Sequence, residues 1–302
     1  MPADAKGLRT AIVTDTTAYL PEDLVAEHDI KRVSLYVSLD GVQRPEIEIG
    51  GDDYGDFFER LRSSREGATT SQPSVGDFCA VYEPLLAEGR DIVSIHLSAG
   101  ISGTCESALQ ARERLTREDK GGERIRVYDS RSSCGGQALV TLAAASAAAA
   151  GADGAEAHAA AERCRDALQM WFAIDTLEYL RKGGRIGAAQ AWLGSALQIK
   201  PILTLGEEIT PVERVRTRRR AFERLVEYAR QRRDDGADAW IVQHIQDHET
   251  AQRLVQQCRE LFDSDPVFVS EIGPVIGAHI GPGLLGVGGA PHSVLRSTTA
   301  AP

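Results

Sequence analysis

No stretch of this chain approaches the roughly 20 consecutive apolar residues that span a bilayer, so stable membrane insertion is not expected. Its longest low-polarity run, Ala138 to Ala152, is alanine-rich and interrupted by Thr141 and Ser146. Alanine forms helices well but is weakly apolar, which makes that run a packed helix. The opening residues, Met1 to Thr10, lack the apolar core of a signal peptide, and a cytoplasmic location is expected. Paired cysteines are missing too. The five that occur, Cys79, Cys105, Cys134, Cys164 and Cys258, are scattered, with no CxxC and no Cys/His cluster at metal-ligand spacing. They read as reduced thiols behaving as small hydrophobes, and neither a metal nor a cofactor is expected. Positive charge is in short supply: 34 Lys and Arg face 44 Asp and Glu, a formal net charge of −10. That balance favours solubility and argues against a general affinity for nucleic acid, whose phosphates demand a basic surface. No GKS or GKT occurs, so there is no P-loop.

What remains is ordinary globular material. The chain has 302 residues, 42% of them hydrophobic and 26% charged, enough for two domains of about 150 residues each. Thr10–Thr14 is a short apolar run ending at Asp15 and reads as a buried strand. Pro21 opens a helix whose first turn carries Glu22 and Asp23. Val33–Leu39 reads as one strand, and Asp52 as the cap of a helix through Phe57, Phe58 and Leu61. Val75–Ala87 is helical, Asp91–Leu97 a strand, Thr104–Arg117 a helix and Ile125–Tyr128 a strand, followed by the alanine-rich helix. Strands alternating with helices predict an α/β domain on a parallel sheet covered on both faces. Ligands settle at the carboxyl ends of such strands. Three polar segments fall there: Asp15–Thr17, Ser98–Thr104 and Asp129–Cys134.

The domain boundary is placed near Ala152-Asp153-Gly154, dividing the chain into 1–152 and 153–302. A helix to Leu168 leads to a strand at Trp171–Ile174, and Ile199–Leu205 with Glu208–Glu213 reads as a hairpin about Gly206. Helices at Thr217–Arg233 and Glu249–Phe262 alternate with strands at Ala239–His244 and Val267–Glu271. A hairpin among helices predicts an α+β domain on a mixed or antiparallel sheet. Residues 290–302 read as a frayed tail.

Several motifs fail on context. Gly281-Pro282-Gly283-Leu284-Leu285-Gly286 matches GxGxxG by letter, but no acidic residue follows at the distance a dinucleotide site needs. Gly100-Ile101-Ser102-Gly103 lacks the glycine spacing of a nucleophile elbow. The wider segment Ser98–Thr104 joins a strand to a helix and holds three hydroxyls and two glycines. An anion site at the helix N-terminus and a simple Ser102 cap both fit it. Thr69–Ser74 places hydroxyls ahead of a helix, with Pro73 stiffening the turn, and alone reads as a capped helix start. Gly277–Gly283 sets His279 among glycines in a loop, where an imidazole has no core to fill. Leu180–Gly187 is a glycine-rich loop with three cations, and Arg214, Arg216, Arg218, Arg219 and Arg220 form a basic cluster. A solvated face and a docking patch for an acidic partner or phosphate both fit that cluster.

Together these segments resemble the DegV family of bacterial fatty-acid-binding proteins. The landmarks are TDTTAYLP, the TSQPS at Thr70–Ser74, SAGISGT at Ser98–Thr104, VYDSRSSCGGQ at Val127–Gln137, IDTLEYLRKGGRIG from Ile174, LQIKPILTL from Leu197 and GAHIGPGLLG from Gly277. They run in the family's order from about residue 10 to 289. The resemblance implies one fatty acid in a tunnel between an N-terminal α/β domain and a C-terminal domain on an antiparallel sheet. It implies a carboxylate held by Thr70, Ser102, the Gly103 amide and His279. It further implies presentation to a separate fatty acid kinase that makes an acyl phosphate, with Arg185 and Arg216 docking the kinase or holding the phosphate. Thr16, Tyr19 and Ala99 depart from the family pattern and leave those residues intact. No carboxylate orients His279 in any motif, which favours a carrier over an enzyme. The alternatives are a hydrolase or acyl transferase using Ser102 and His279, and a nucleic-acid-associated protein working through the arginines.

Overall fold

The computed structural model describes residues 9–51, 54–193 and 199–296. The proposed cap Asp52 lies outside them. Thr10–Asp15 (β1) is buried at all six positions, and Glu22–Glu27 (α1) follows Pro21, which stands at the N-cap. Lys31–Val33 (β2), Tyr36–Leu39 (β3) and Val42–Pro45 (β4) come next, the last two joined through Asp40 and Gly41 at positive φ. Tyr54–Ser63 (α2), Ala68–Ser71 (β5) and Val75–Ala87 (α3) follow. Then come Asp91–His96 (β6), Thr104–Arg117 (α4), Ile125–Asp129 (β7), Cys134–Ala149 (α5) and Gly154–Ala167 (α6). The second half runs Gln169–Ala173 (β8), Glu178–Lys182 (α7), Lys200–Leu205 (β9), Ile209–Val215 (β10), Arg218–Asp234 (α8) and Ala239–His244 (β11). It closes with His248–Phe262 (α9), Phe268–Glu271 (β12), Pro274–Ile280 (α10), Leu285–Ala290 (β13) and His292–Leu295 (α11).

Contacts divide the chain into two units, neither of them continuous. The first comprises Met1–Ser34, Gln72–Leu168 and Ala290–Pro302, and the second Leu35–Ser71 and Gln169–Gly289. In the first, a parallel sheet runs β2-β1-β6-β7. Alternate residues of β1 face opposite layers. Ala11 and Val13 join Phe78, Tyr82, Leu85 and Leu115 in the core beneath α3 and α4, while the Thr14 hydroxyl meets Gln137 and Thr141 of α5. Alanines make α5 thin, so it buries nearly its whole circumference against β1, β6, α6 and α11. In the second unit a mixed sheet runs β10-β9-β8-β13-β11-β12, antiparallel across β8, β9 and β10 and parallel between β11 and β12. Trp240, Leu254, Leu225 and Ile202 fill its core. A second, antiparallel sheet of order β4-β3-β5 belongs to the same unit.

Three expectations are corrected. Val33–Leu39 is two strands, because Val33 ends the parallel pairing with Asp15 while Tyr36 starts antiparallel pairing with Pro45 and Ser71. Apolar alternation runs unbroken through Val33, Leu35, Val37 and Leu39, so periodicity carries no mark of the change of sheet. Residues 290–296 are not frayed: Ala290 is buried in β13 and Leu295 is buried where α11 packs on α5 and α6. His279 sits in the last turn of α10, not in a loop. Pro274 at N1 starts that helix, and Gly281 at φ 76 ends it.

Candidate functional site

In the first unit the chain leaves β6 at His96 and reaches α4 through Ser98–Gly103. The Ser98 amide donates to the Ser132 carbonyl at 2.7 Å, and the Ala99 amide donates to Asp129 at 3.2 Å, tying this loop to the end of β7. Ser102 is half-buried. Its Oγ shares a hydrogen bond with the Thr104 hydroxyl at 2.9 Å and accepts from the Thr104 amide at 3.3 Å, a local turn just ahead of α4, whose N-cap is Gly103 and carries no side-chain cap. Gly103 has an ordinary φ of −78, yet a Cβ there would overlap the side-chain amide of Gln72. Gln72 in turn donates to Ser107 of α4 at 3.1 Å. The glutamine of TSQPS and the glycine of the serine loop are thus fitted to one another.

The same unit holds a polar chain that the sequence reading passed over. Tyr82 donates to Ser94 at 2.6 Å, Ser94 Oγ meets His96 Nε2 at 2.7 Å, and His96 Nδ1 meets Asp15 Oδ2 at 3.0 Å. This order matches a hydrolase triad. All four side chains, however, have no exposure, so no substrate reaches Ser94. Burial by itself would raise the Asp15 carboxyl; hydrogen bonds from His96, Thr17 and Gln137 outweigh it and hold the group below its usual range. The alternation of Ser94 and His96 on β6, opposite Asp15 at the end of β1, was the available signal.

In the second unit Thr70 lies on β5 and His279 on α10, 209 residues apart in sequence, and their Oγ1 and Nε2 share a hydrogen bond of 2.7 Å. Two close approaches and one cap pin α10. Gly277 faces Phe58, with no room for a Cβ, and Gly281 faces Tyr179 in the same way. Glu46 Oε1 accepts from the Val275 amide at 2.8 Å. The pair opens on a cleft of about 560 Å³ whose wall includes Arg62, Glu66, Tyr179, Lys182 and Arg185. That volume falls within the usual range of ligand sites. Burial, and then the charge of Arg185, push His279 down to about 4, so it is neutral near pH 7. Its Nδ1 is covered and has no hydrogen-bond partner among the described residues. No carboxylate therefore orients it as a triad base would be oriented.

The structure thus brings together Thr70, His279 and Arg185 of the sequence-derived residues. Arg185 lies beyond α7, which takes Leu180–Lys182 of the expected Leu180–Gly187 loop into helix, and its Nη1 donates to the Gly183 carbonyl at 2.7 Å. Arg216 is exposed ahead of α8 and does not line this cleft. Its neighbours are partly neutralised: Arg218 pairs with Asp175, and Arg219 and Arg220 pair with Glu223. Gly183 was missed as more than a loop residue. Among the described residues, no group of three or more His, Cys, Asp or Glu could hold a metal, and no helix is long and apolar enough to cross a membrane.

The family model described as "Uncharacterised protein, DegV family" matches residues 9–292. A DegV domain-containing protein of Streptomyces coelicolor is 40% identical over 280 residues, 92% of this chain and 96% of that protein. Protein DegV of Bacillus subtilis is 34% identical over 284 residues, 93% of this chain and 98% of that protein. Two solved structures share the fold. A DegV family protein from Thermus thermophilus, described by its fatty acid binding, matches with a TM-score of 0.82 at 33% identity, covering 94% of this chain and 100% of that one. DegV of Bacillus subtilis, described as a fatty acid binding protein, matches with a TM-score of 0.81 at 33% identity, covering 93% and 99%.

Proposed function

The chain belongs to the DegV family, and on that premise we propose that it binds one long-chain fatty acid by its carboxylate and presents it to a separate kinase for acyl-phosphate formation. The observation that carries the reading is the Thr70–His279 pair at 2.7 Å, opening on a cleft, in a chain related to proteins that bind fatty acids. A carboxylate taken from water needs hydrogen-bond donors. Thr70, Ser102, the Gly103 amide and His279 are the proposed set. The acyl tail supplies affinity at about 0.8 kcal/mol per buried methylene, so a dozen contribute roughly 10 kcal/mol before the cost of association. Phosphoryl transfer is assigned to the partner, with Arg185 and Arg216 meeting the kinase or the new phosphate. The hydrolase reading loses its support in the unpartnered Nδ1 of His279.

Mass spectrometry of the purified chain, native and after organic extraction, tests this. A single bound long-chain fatty acid is expected, lost when Ser102 and His279 are both replaced by alanine. Protein that arrives lipid-free and takes up no added fatty acid would overturn the proposal. Arg185→Glu and Arg216→Glu should keep the lipid and fail to yield acyl phosphate with the cognate kinase; unchanged phosphorylation would remove those two residues from the assignment.

A further inference from the structure

Gly183 ends α7 with φ −78 and ψ −5. Those are right-handed values that most residues adopt without strain, so the backbone does not call for glycine. His279 does. A Cβ at Gly183 would overlap His279 Nδ1 and stand 3.2 Å from Cε1 and 3.3 Å from Cγ. Where other residues carry Cβ, glycine carries a hydrogen, and that hydrogen points at Nδ1. A C–H faces a lone pair comfortably, whereas an N–H in the same place would drive two hydrogens together. Nδ1 is also buried without a hydrogen-bond partner among the described residues, and orphaned buried N–H donors are rarer in folded proteins than under-satisfied acceptors.

A neutral imidazole has one N–H. With the lone pair on Nδ1, the proton is on Nε2, and the bond to Thr70 runs from His279 to the threonine oxygen. Thr70 then keeps its own O–H for a group that accepts. We propose that Gly183 is a positioning residue for His279: by carrying no side chain it lets the end of α7 close over the Nδ1 edge, sets the ring's tautomer, and leaves the Thr70 hydroxyl as an outward donor matched to an anionic acceptor such as a carboxylate. Gly183 acts through His279 and touches no ligand. The purpose of this device rests on the fatty-acid reading; its geometry does not.

Two measurements on the full chain test it. The first is a long-range proton–nitrogen correlation spectrum of histidine-labelled protein near neutral pH. His279 should show its proton on Nε2, and Gly183→Ala should disturb that signal. A wild-type proton on Nδ1 overturns the proposal, whatever becomes of the variant. The second is a double-mutant cycle read by palmitate affinity. Gly183→Ala should weaken binding by about tenfold or more in the wild-type background, the scale of a hydrogen bond to a charged group. In a His279→Ala background it should change affinity by less than about twofold. Equal losses in both backgrounds, or no loss in either, overturn the proposal. Gly206→Ala, which meets open space, is the control and should leave both readouts unchanged. A wild-type chain that binds no palmitate but shows the Nε2 proton, displaced in Gly183→Ala, overturns the functional reading and upholds the positioning role.

Discussion

Two histidines in this chain show how burial decides what the same side chain does. His96 is wholly covered and bonded at both nitrogens, which makes it a strut between β6 and β1. His279 has one nitrogen on Thr70 and the other covered without a partner among the described residues. The pH dependence of stability follows from its shift. His279 falls from an ordinary value of 6.5 to about 4 in the fold. Below pH 6.5 the unfolded chain gains a proton that the folded chain refuses, so stability is lost as pH falls from 6.5 towards 4. At 1.36 kcal/mol per pKa unit, the loss approaches about 3 kcal/mol. Urea denaturation at a series of pH values should show wild type losing about that much more than His279→Gln over this window. Parallel profiles for the two proteins would place the His279 shift elsewhere.

At the scale of the element, the start of α3 was readable and close approaches were not. Ser74 and Asp77 form a capping box at the start of α3, where the hydroxyls of Thr69–Ser74 marked a helix start, and Asp153 and Glu156 form one at α6. Gly277 is different. Glycine within a helix ordinarily costs about 1 kcal/mol against alanine, so composition suggested a loop. The helix keeps it because Phe58, itself without exposure, occupies the space of a Cβ. Gly277→Ala should therefore destabilise the protein by roughly 1–3 kcal/mol through overpacking. Gly76→Ala in α3, where the nearest atom is Ser74 Oγ at 3.5 Å, should be neutral or stabilise by up to about 1 kcal/mol. Denaturant midpoints compared between the two variants check the contrast in sign.

For the whole molecule, the division into units bears on which pieces fold. The continuous division at residue 152 and the contact-based division differ, because the first unit contains α6 and α11 and the second contains Leu35–Ser71. A fragment of residues 1–152 keeps the parallel sheet but strips α5 of the two helices packed on it. Exposing the alanine face of α5 leaves the fragment without part of its core. The fragment is expected to show no cooperative unfolding transition in urea by circular dichroism. A fragment ending at Leu168 should recover part of one, and a sharp transition in the shorter piece would contradict the contact-based division.

What the sequence determined by itself is local or compositional. Alternating strands and helices, the span of α3 and α4 and the β9–β10 hairpin all follow from periods and spacings within a dozen residues. The family pattern singled out Thr70 and His279 as well, but only as letters in separate motifs. Tertiary structure decided that Thr70, read as part of a helix start, lies on a strand paired with β3 in the same unit as His279. It also decided that Ser94, His96 and Asp15 are sealed, and that Gly183 is glycine for the sake of an imidazole 96 residues away. A residue's neighbours in sequence set its backbone preference, while its burial and its polar partners depend on which surfaces the finished fold brings into contact.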